Sequence, residues 1–457
     1  MARFDLLVRG GTVVTPGGSE RCDIGIDDGV IAEVGPDLEG GARETVEAGG
    51  LHVFPGIVDA HVHCNDPGRA GWEGLDHGTR ALAAGGTTTF ADMPLNASPP
   101  TLDGASFDLK LAAATGTAHV DFALWGGLVP GDVDRLDELA ARGVIGFKAF
   151  MCPSGMDDFP AADDETLRAG MERSATLGLP VAVHAESAEL TELLAAEAVA
   201  AGRTTLRDYL HSRPAVAELE AVERAIELAA ETGCSLHVVH LSTGRAVRRV
   251  AGARARGLAV TCETCPHYLA LDEDDAVALG MVAKCSPPLR PREDVDDLWS
   301  TLLEGLVDLV GSDHSPSPPE LKEGADAFTA WGGIAGCQTL LRVMLTEGSS
   351  RGLTIEAIAA LTSAAPARRF HLNGKGAIGP GADADLTVVQ LGREAALTSG
   401  ELLSRHQLSP FVGRNLRGRV VRTIVRGSTV SLDGDMVAPP GGRLVRPAPG
   451  PSTEARS

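Results

Sequence analysis

The sequence predicts an α/β chain, a (β/α)8 barrel of the TIM type with a small β-sandwich domain formed by both chain ends. Three observations predict it. Eight short apolar runs alternate with Ala- and Leu-rich helical stretches between about residues 56 and 370. Hairpin-like β segments fill the first 50 or so residues and return near the end. Residues able to bind metal fall at the ends of the apolar runs, which in such a barrel ring one face.

The chain ends come first. DLLVRGGTVVTP and CDIGIDDGVIAEVG alternate or run apolar and are broken by Gly, Asp or Pro, as hairpins are. DADLTVVQLG and VVRTIVRGSTVSLDGDMV repeat that texture. Residues 1–55 and 371–445 are therefore expected to form one small β domain around a barrel of residues 56–370. The Pro-rich, polar tail 446–457 is expected to be disordered.

The eight runs are GIVDAHVH, TTTFADM, VDFALWGG, GVIGFKAF, PVAVHAE, LHVVHLS, AVTCETCPHYL and LVDLVGSDHS. Intervening segments such as GTRALAAGG and AVAELEAVERAIELAAETG have helical periodicity and end in Gly. A doubly wound open sheet is the alternative, but no glycine-rich nucleotide fingerprint follows the first run.

Composition narrows the function. The 457 residues are 44% hydrophobic and 22% charged, enough to bury a large core without disulfides. A formal net charge of -22 argues against nucleic-acid or anionic-membrane partners, because phosphate contacts need clustered Lys and Arg. No run of 18 apolar residues and no signal-peptide pattern occur, so no membrane span is expected. The eight cysteines are scattered without a disulfide framework, which fits a reducing, cytoplasmic setting.

The chemistry lies at the run ends. His61 and His63 close the first run, and period two puts both imidazoles on one side of a strand. Alone, such a pair is a surface or core feature; after PGIVDA and before the turn NDPG it reads as a metal site. Lys148 interrupts an apolar run. Its ordinary fate is a stem on apolar surface with the amine in water. A desolvated amine, in contrast, has a lowered pKa and can add carbon dioxide, giving an anionic two-oxygen ligand. His184 and His240 end the fifth and sixth runs, and Asp313 ends the eighth. An aspartate there is either a helix N-cap or a metal ligand that also handles a proton. His237 should face away from His240, three residues on. His267 and His314 are expected behind the ligands, and Cys262-Glu263-Thr264-Cys265 reads as packing, since no second CxxC completes a zinc site.

PGIVDAHVH, GFKAF, VHAE, HVVHLS, TCETCPHYL, AKCSPPLR, SDHSP and the late GKGAIGPGADADLTVV occur in the order found in the cyclic amidohydrolases, and the chain resembles that family (allantoinases, hydantoinases, dihydropyrimidinases and dihydroorotases) over nearly its whole length. The resemblance implies two divalent metal ions, zinc first, with manganese, cobalt or nickel as alternatives. One would be held by His61, His63 and Asp313, and the other by His184 and His240. Lys148, as N6-carboxylysine made with carbon dioxide, would bridge them, and Asp313 would carry the catalytic proton. Ser286, Asn96 and the backbone at Gly332 would contact the substrate ring. A small-molecule substrate and a homotetramer are implied as well.

Dihydroorotases carry an arginine two residues after the second histidine; here Asn65 stands there. Hydantoinases and dihydropyrimidinases place a tyrosine shortly after the lysine. Here that stretch is Lys148-Ala149-Phe150-Met151-Cys152-Pro153, and neither Tyr209 nor Tyr268 is near it in sequence. FMCPSGMDDFP, NDPGRAGWEG, DMPLN, SDHSPSPPELK and AWGGIAG resemble the allantoinase branch, which opens the hydantoin ring of allantoin to allantoate. A hydantoinase-type substrate is the nearest alternative. A non-catalytic scaffold is the more distant one.

Overall fold

The structure is a computed structural model that describes residues 3–324 and 326–448. Strands β1 (Phe4–Thr15), β2 (Gly18–Asp27), β3 (Val30–Gly35), β4 (Ala42–Glu47) and β5 (His52–Pro55) come from the N-terminal end. The barrel strands follow: β6 (Ile57–Val62), β7 (Thr87–Asp92), β8 (Asp121–Leu124) with its continuation β9 (Gly126–Gly127), β10 (Phe147–Phe150), β11 (Val181–His184), β12 (Leu236–Val238), β13 (Val260–Thr264) and β14 (Leu309–Val310). The chain then returns through β15 (Leu386–Ala396), β16 (Asn415–Val425), β17 (Ser428–Leu432) and β18 (Asp435–Met436) to the first sheet.

All eight apolar runs form parallel barrel strands with helices between them. Their residues are buried almost throughout, as expected for strands covered on both faces. β6 to β8 pair in one arc and β9 to β14 in the other. The arcs meet where Val62 bridges His314 and where the His63 amide donates to the His314 carbonyl at 2.8 Å. The short strands β12 and β14 end before the residues that matter: His240 and Asp313 lie just beyond them, in left-handed conformations at φ 40° and 45°. Asn65 and Asn96, at φ 60° and 65°, share the strain. Left-handed backbone is uncommon for residues with a side chain and costs on the order of 1 kcal/mol or more, so its presence at four positions around one barrel mouth marks a functional face.

The terminal sheet runs β18-β17-β16-β15-β5-β1-β2-β3, with β4 on β1, so strands from both chain ends interleave. Gly56 joins it to the barrel. A Cβ there would lie 2.1 Å from Thr88 Oγ1, so only glycine lets β5 turn into β6 at this spacing. Within the expected tail, Arg446 Nε donates to the Arg142 carbonyl at 3.0 Å and the Ala448 amide to His371 at 2.9 Å. The rest of that tail, residues 449–457, lies outside the described residues.

Candidate active site

Five of the residues singled out in the sequence line one cavity of about 350 Å³ at the mouth of the barrel: His61, His63, His184, His240 and Asp313. That volume suits a small molecule. Lys148 lies fully buried beneath them. Asn96, Ser286 and Gly332 line the same cavity.

The first group is built on β6. His61 Nε2 is 3.2 Å and His63 Nε2 3.5 Å from Asp313 Oδ1. Ligand atoms bonded to one tetrahedral ion at about 2.0–2.2 Å lie about 3.3–3.6 Å apart, so both distances to Asp313 have the spacing of a shared ion. His61 is fixed from behind, because its Nδ1–H donates to Glu263 Oε1 at 2.5 Å. A carboxylate behind a histidine sets the tautomer and leaves the other nitrogen free as a ligand. Burial tends to raise the Asp313 pKa, but the charges of His61 and His63 outweigh it and hold the carboxylate below its usual range. The loop carrying Asp313 is anchored by the Ser312 amide, which donates to Asp59 Oδ1 at 3.0 Å.

The second group is built on β11 and the chain after β12. His184 Nδ1 faces His240 Nε2 at 3.0 Å. The other His184 nitrogen donates to Glu186 Oε2 at 2.8 Å, and Arg213 donates to both Glu186 oxygens, at 3.1 and 2.6 Å. Burial would raise the Glu186 pKa, yet Arg213 and His184 bring it down to about 2. Phe150 stacks flat on His184, with centroids 4.6 Å apart, and fixes the plane of the ring. Cys152, His184 and Glu186 also lie within ligand distance of one another. Because Arg213 and His184 occupy the Glu186 oxygens, this cluster orients His184 rather than holding an ion of its own.

Between the two groups, Lys148 Nζ is buried with no hydrogen-bond partner, 4.9 Å from the Phe150 ring centroid. Burial, opposed by Asp313 and Glu263, lowers its pKa to about 7. An orphaned buried amine between two facing histidine pairs is what a carbamate bridging two cations would satisfy. The donor set of imidazoles and carboxylate suits zinc and its neighbours.

The chain matches known proteins along nearly its whole length. The Amidohydrolase family matches residues 52–430. The chain belongs to the amidohydrolase family. Among amidohydrolases it is 62% identical to a protein named allantoinase from Rubrobacter xylanophilus, over 98% of both chains, and 52% identical to another from Solibacter usitatus, over 97% of both. Of solved structures, the L-hydantoinase (dihydropyrimidinase) of Arthrobacter aurescens superposes with a TM-score of 0.95 at 35% identity, covering 97% of this chain and 100% of its own. The dihydropyrimidinase of Brevibacillus agri gives 0.89 at 32%, covering 96% and 98%.

Two residues of this amidohydrolase site, Glu263 and Tyr209, have no signal in the sequence pattern. Glu263 sits between two buried, free cysteines, in the stretch read as packing, yet it takes N–H donors from both His61 and His237. His237 does face away from the cavity, as its spacing required, and its second nitrogen meets Thr261 Oγ1 at 2.8 Å. Tyr209 is remote in sequence from Lys148 but lines the cavity, its hydroxyl 2.5 Å from Ser286 Oγ. His267 is buried with Nε2 unpartnered, and burial lowers its pKa to about 4. His314 Nε2 lies 3.5 Å from Glu73 Oε1, while its backbone closes the barrel.

Proposed function

We propose that the protein hydrolyses the cyclic amide bond of allantoin, opening the hydantoin ring to give allantoate. The observation that carries the chemistry is the pair of histidine groups, each braced by a buried carboxylate, facing each other across the unpartnered amine of Lys148. The substrate name rests on relatives called allantoinase at 62% and 52% identity over nearly full length.

In this reading His61, His63 and Asp313 would hold one divalent metal ion and His184 and His240 a second, with carboxylated Lys148 as a further anionic ligand. Zinc is the first choice. When bound, such ions supply Lewis acidity that polarises an amide carbonyl and makes water acidic enough to attack at neutral pH. The remaining work falls to the chain. Asp313, held as a carboxylate, accepts a proton from the attacking water and returns it to the ring nitrogen. The water oxygen bonds to the carbonyl carbon, the C–N bond breaks with the nitrogen protonated, and the ring opens to a carboxylate as the second water proton is released. Ser286, Asn96 and the backbone at Gly332 orient the ring amide from the cavity wall, which keeps the scissile carbonyl over the site. Residues 56–370 act as the catalytic unit, and the terminal β domain as its support. A homotetramer working in the cytoplasm completes the assignment.

A second reading, a hydantoin or dihydropyrimidine substrate, draws on the superposition with hydantoinase structures. Turnover of allantoin, hydantoin, dihydrouracil and dihydroorotate by metal-replete protein separates the two. Dominant allantoin opening is expected. Preference for hydantoin or dihydrouracil would move the protein to the sister group, and no turnover of any would refute the substrate class.

A further inference from the structure

One part of the cavity lining carries the histidines and Asp313, and another carries cations. Arg213 is neutralised there by Glu186. Lys284 is not neutralised. It lies one residue before Cys285, is buried, and lines the same cavity. Its Nζ donates to the Ala330 carbonyl and sits 4.3 Å from the centroid of the Tyr209 ring. No carboxylate pairs with it among the described residues. Burial, then Lys322 and Arg213, lower its pKa to about 8, which leaves it a cation at neutral pH. An ammonium has three donors, and only one is used. Trp331, in the same wall, buries its indole Nε1 without an acceptor. Its ring is held edge-on to Trp72 at 4.8 Å.

The cavity wall around Lys284 thus holds an ammonium without a carboxylate partner beside an indole N–H without an acceptor. An alkyl or aryl substituent closing over it would give the unused donors of the ammonium, and the indole N–H, no acceptor. Sites built to hydrogen-bond a substrate group discriminate strongly against analogues that lack it. A carboxylate substituent would find the ammonium alone, because the guanidinium that could clamp it in two-pronged fashion is already committed to Glu186. A urea oxygen is a strong neutral acceptor with two lone pairs, and it matches one ammonium plus one N–H.

We propose that Lys284, together with Trp331, is the specificity determinant that reads the substituent of the substrate ring by binding the carbamoyl oxygen of a ureido group. This rests on the assignment of allantoin as substrate. It makes the preference for allantoin over unsubstituted hydantoin a property of two residues of the cavity wall that are not among the proposed metal ligands.

The test compares metal-replete wild-type protein with Lys284→Met on allantoin, hydantoin and dihydroorotate. The expected result is a fall of about 100-fold in kcat/KM for allantoin, with hydantoin changed less than about threefold. Where hydantoin turns over too slowly, its inhibition constant against allantoin is the readout and stays constant. Calorimetric titration of metal-free protein reads the same contrast without turnover. Lys322→Met is the control for structural damage. Lys322 donates to the Trp331 and Gly333 carbonyls, so its loss perturbs the same wall and should change both substrates by one factor. Equal losses on allantoin and hydantoin in Lys284→Met would overturn the proposal, leaving Lys284 as a support for the 330–333 segment. Preferred turnover of dihydroorotate that vanishes in Lys284→Met would overturn it in favour of a carboxylate. Wild-type protein that opens hydantoin but not allantoin would refute the substrate assignment instead.

Discussion

His61 shows how much one residue depends on another that is distant in sequence. Its Nε2 faces Asp313 because its Nδ1 is held by Glu263, 202 positions later. Glu263→Gln keeps the shape but weakens that hold, and metal affinity should drop about 10–100-fold, measured by competition with a chelator. Glu186→Gln should do the same at the other histidine pair. Asp313→Ala should reduce kcat by at least about 10²–10⁴-fold even when metal-loaded, and a near-wild-type rate would refute its role as proton carrier. The histidines, Lys148 and Asp313 could be read from sequence because each is a polar residue at the end of an apolar run. Glu263 was concealed by its cysteine neighbours, although its parity with Thr261 on β13 puts both on the face that meets His237. Tyr209 left no such trace, since only folding brings the helix Leu206–His211 over the mouth.

At the scale of elements, the strands were readable because parallel strands buried on both faces are continuous apolar runs. Their ends were less so. The eighth run continues to Asp313, but β14 pairs only over Leu309–Val310 and the chain then turns through left-handed backbone. Such turns depend on tertiary contacts, here the Ser312 amide on Asp59, and apolar patterning does not encode them. The 330–333 segment is held in the cavity wall by lysines, and this gives it a pH signature. Burial lowers the Lys322 pKa to about 8, against about 10.4 in an unfolded chain. Between those values the unfolded state binds a proton that the folded state does not, so this group makes stability rise with pH from about 8 to about 10, and its destabilisation is fully present below about 8. Chemical denaturation across that range should show a smaller upward slope in Lys322→Met than in wild type. An unchanged slope would mean that Lys322 is not desolvated.

For the whole molecule, the barrel and the terminal sheet meet at a buried charge cluster. Lys375 Nζ donates to Asp121 at 2.6 Å, at the start of β8, and to Asp385 at 2.8 Å, beside β15. Arg426, after β16, donates to the other Asp121 oxygen. Burial opposes the charge on Lys375, but Asp385 and Asp121 outweigh it and raise its pKa. Lys375→Met removes the ammonium between two buried carboxylates, leaving Asp121 only Arg426 as a charged partner and Asp385 none but Arg426's backbone amide, and should cost about 3–5 kcal/mol in denaturant unfolding, with the metal site intact. The interleaving of the two chain ends was foreseeable from their shared β texture. This cluster was not, because its members are spread over some 300 positions and each looks like an ordinary surface charge.

Diffraction from crystals grown with zinc and bicarbonate, collected at the zinc absorption edge, tests the centre directly. Two anomalous peaks are expected, one among His61, His63 and Asp313 and one between His184 and His240, with planar carbamate density on Lys148 reaching both. A single peak, or an unmodified lysine amine beside two occupied sites, would contradict the two-metal centre on which the proposed chemistry depends.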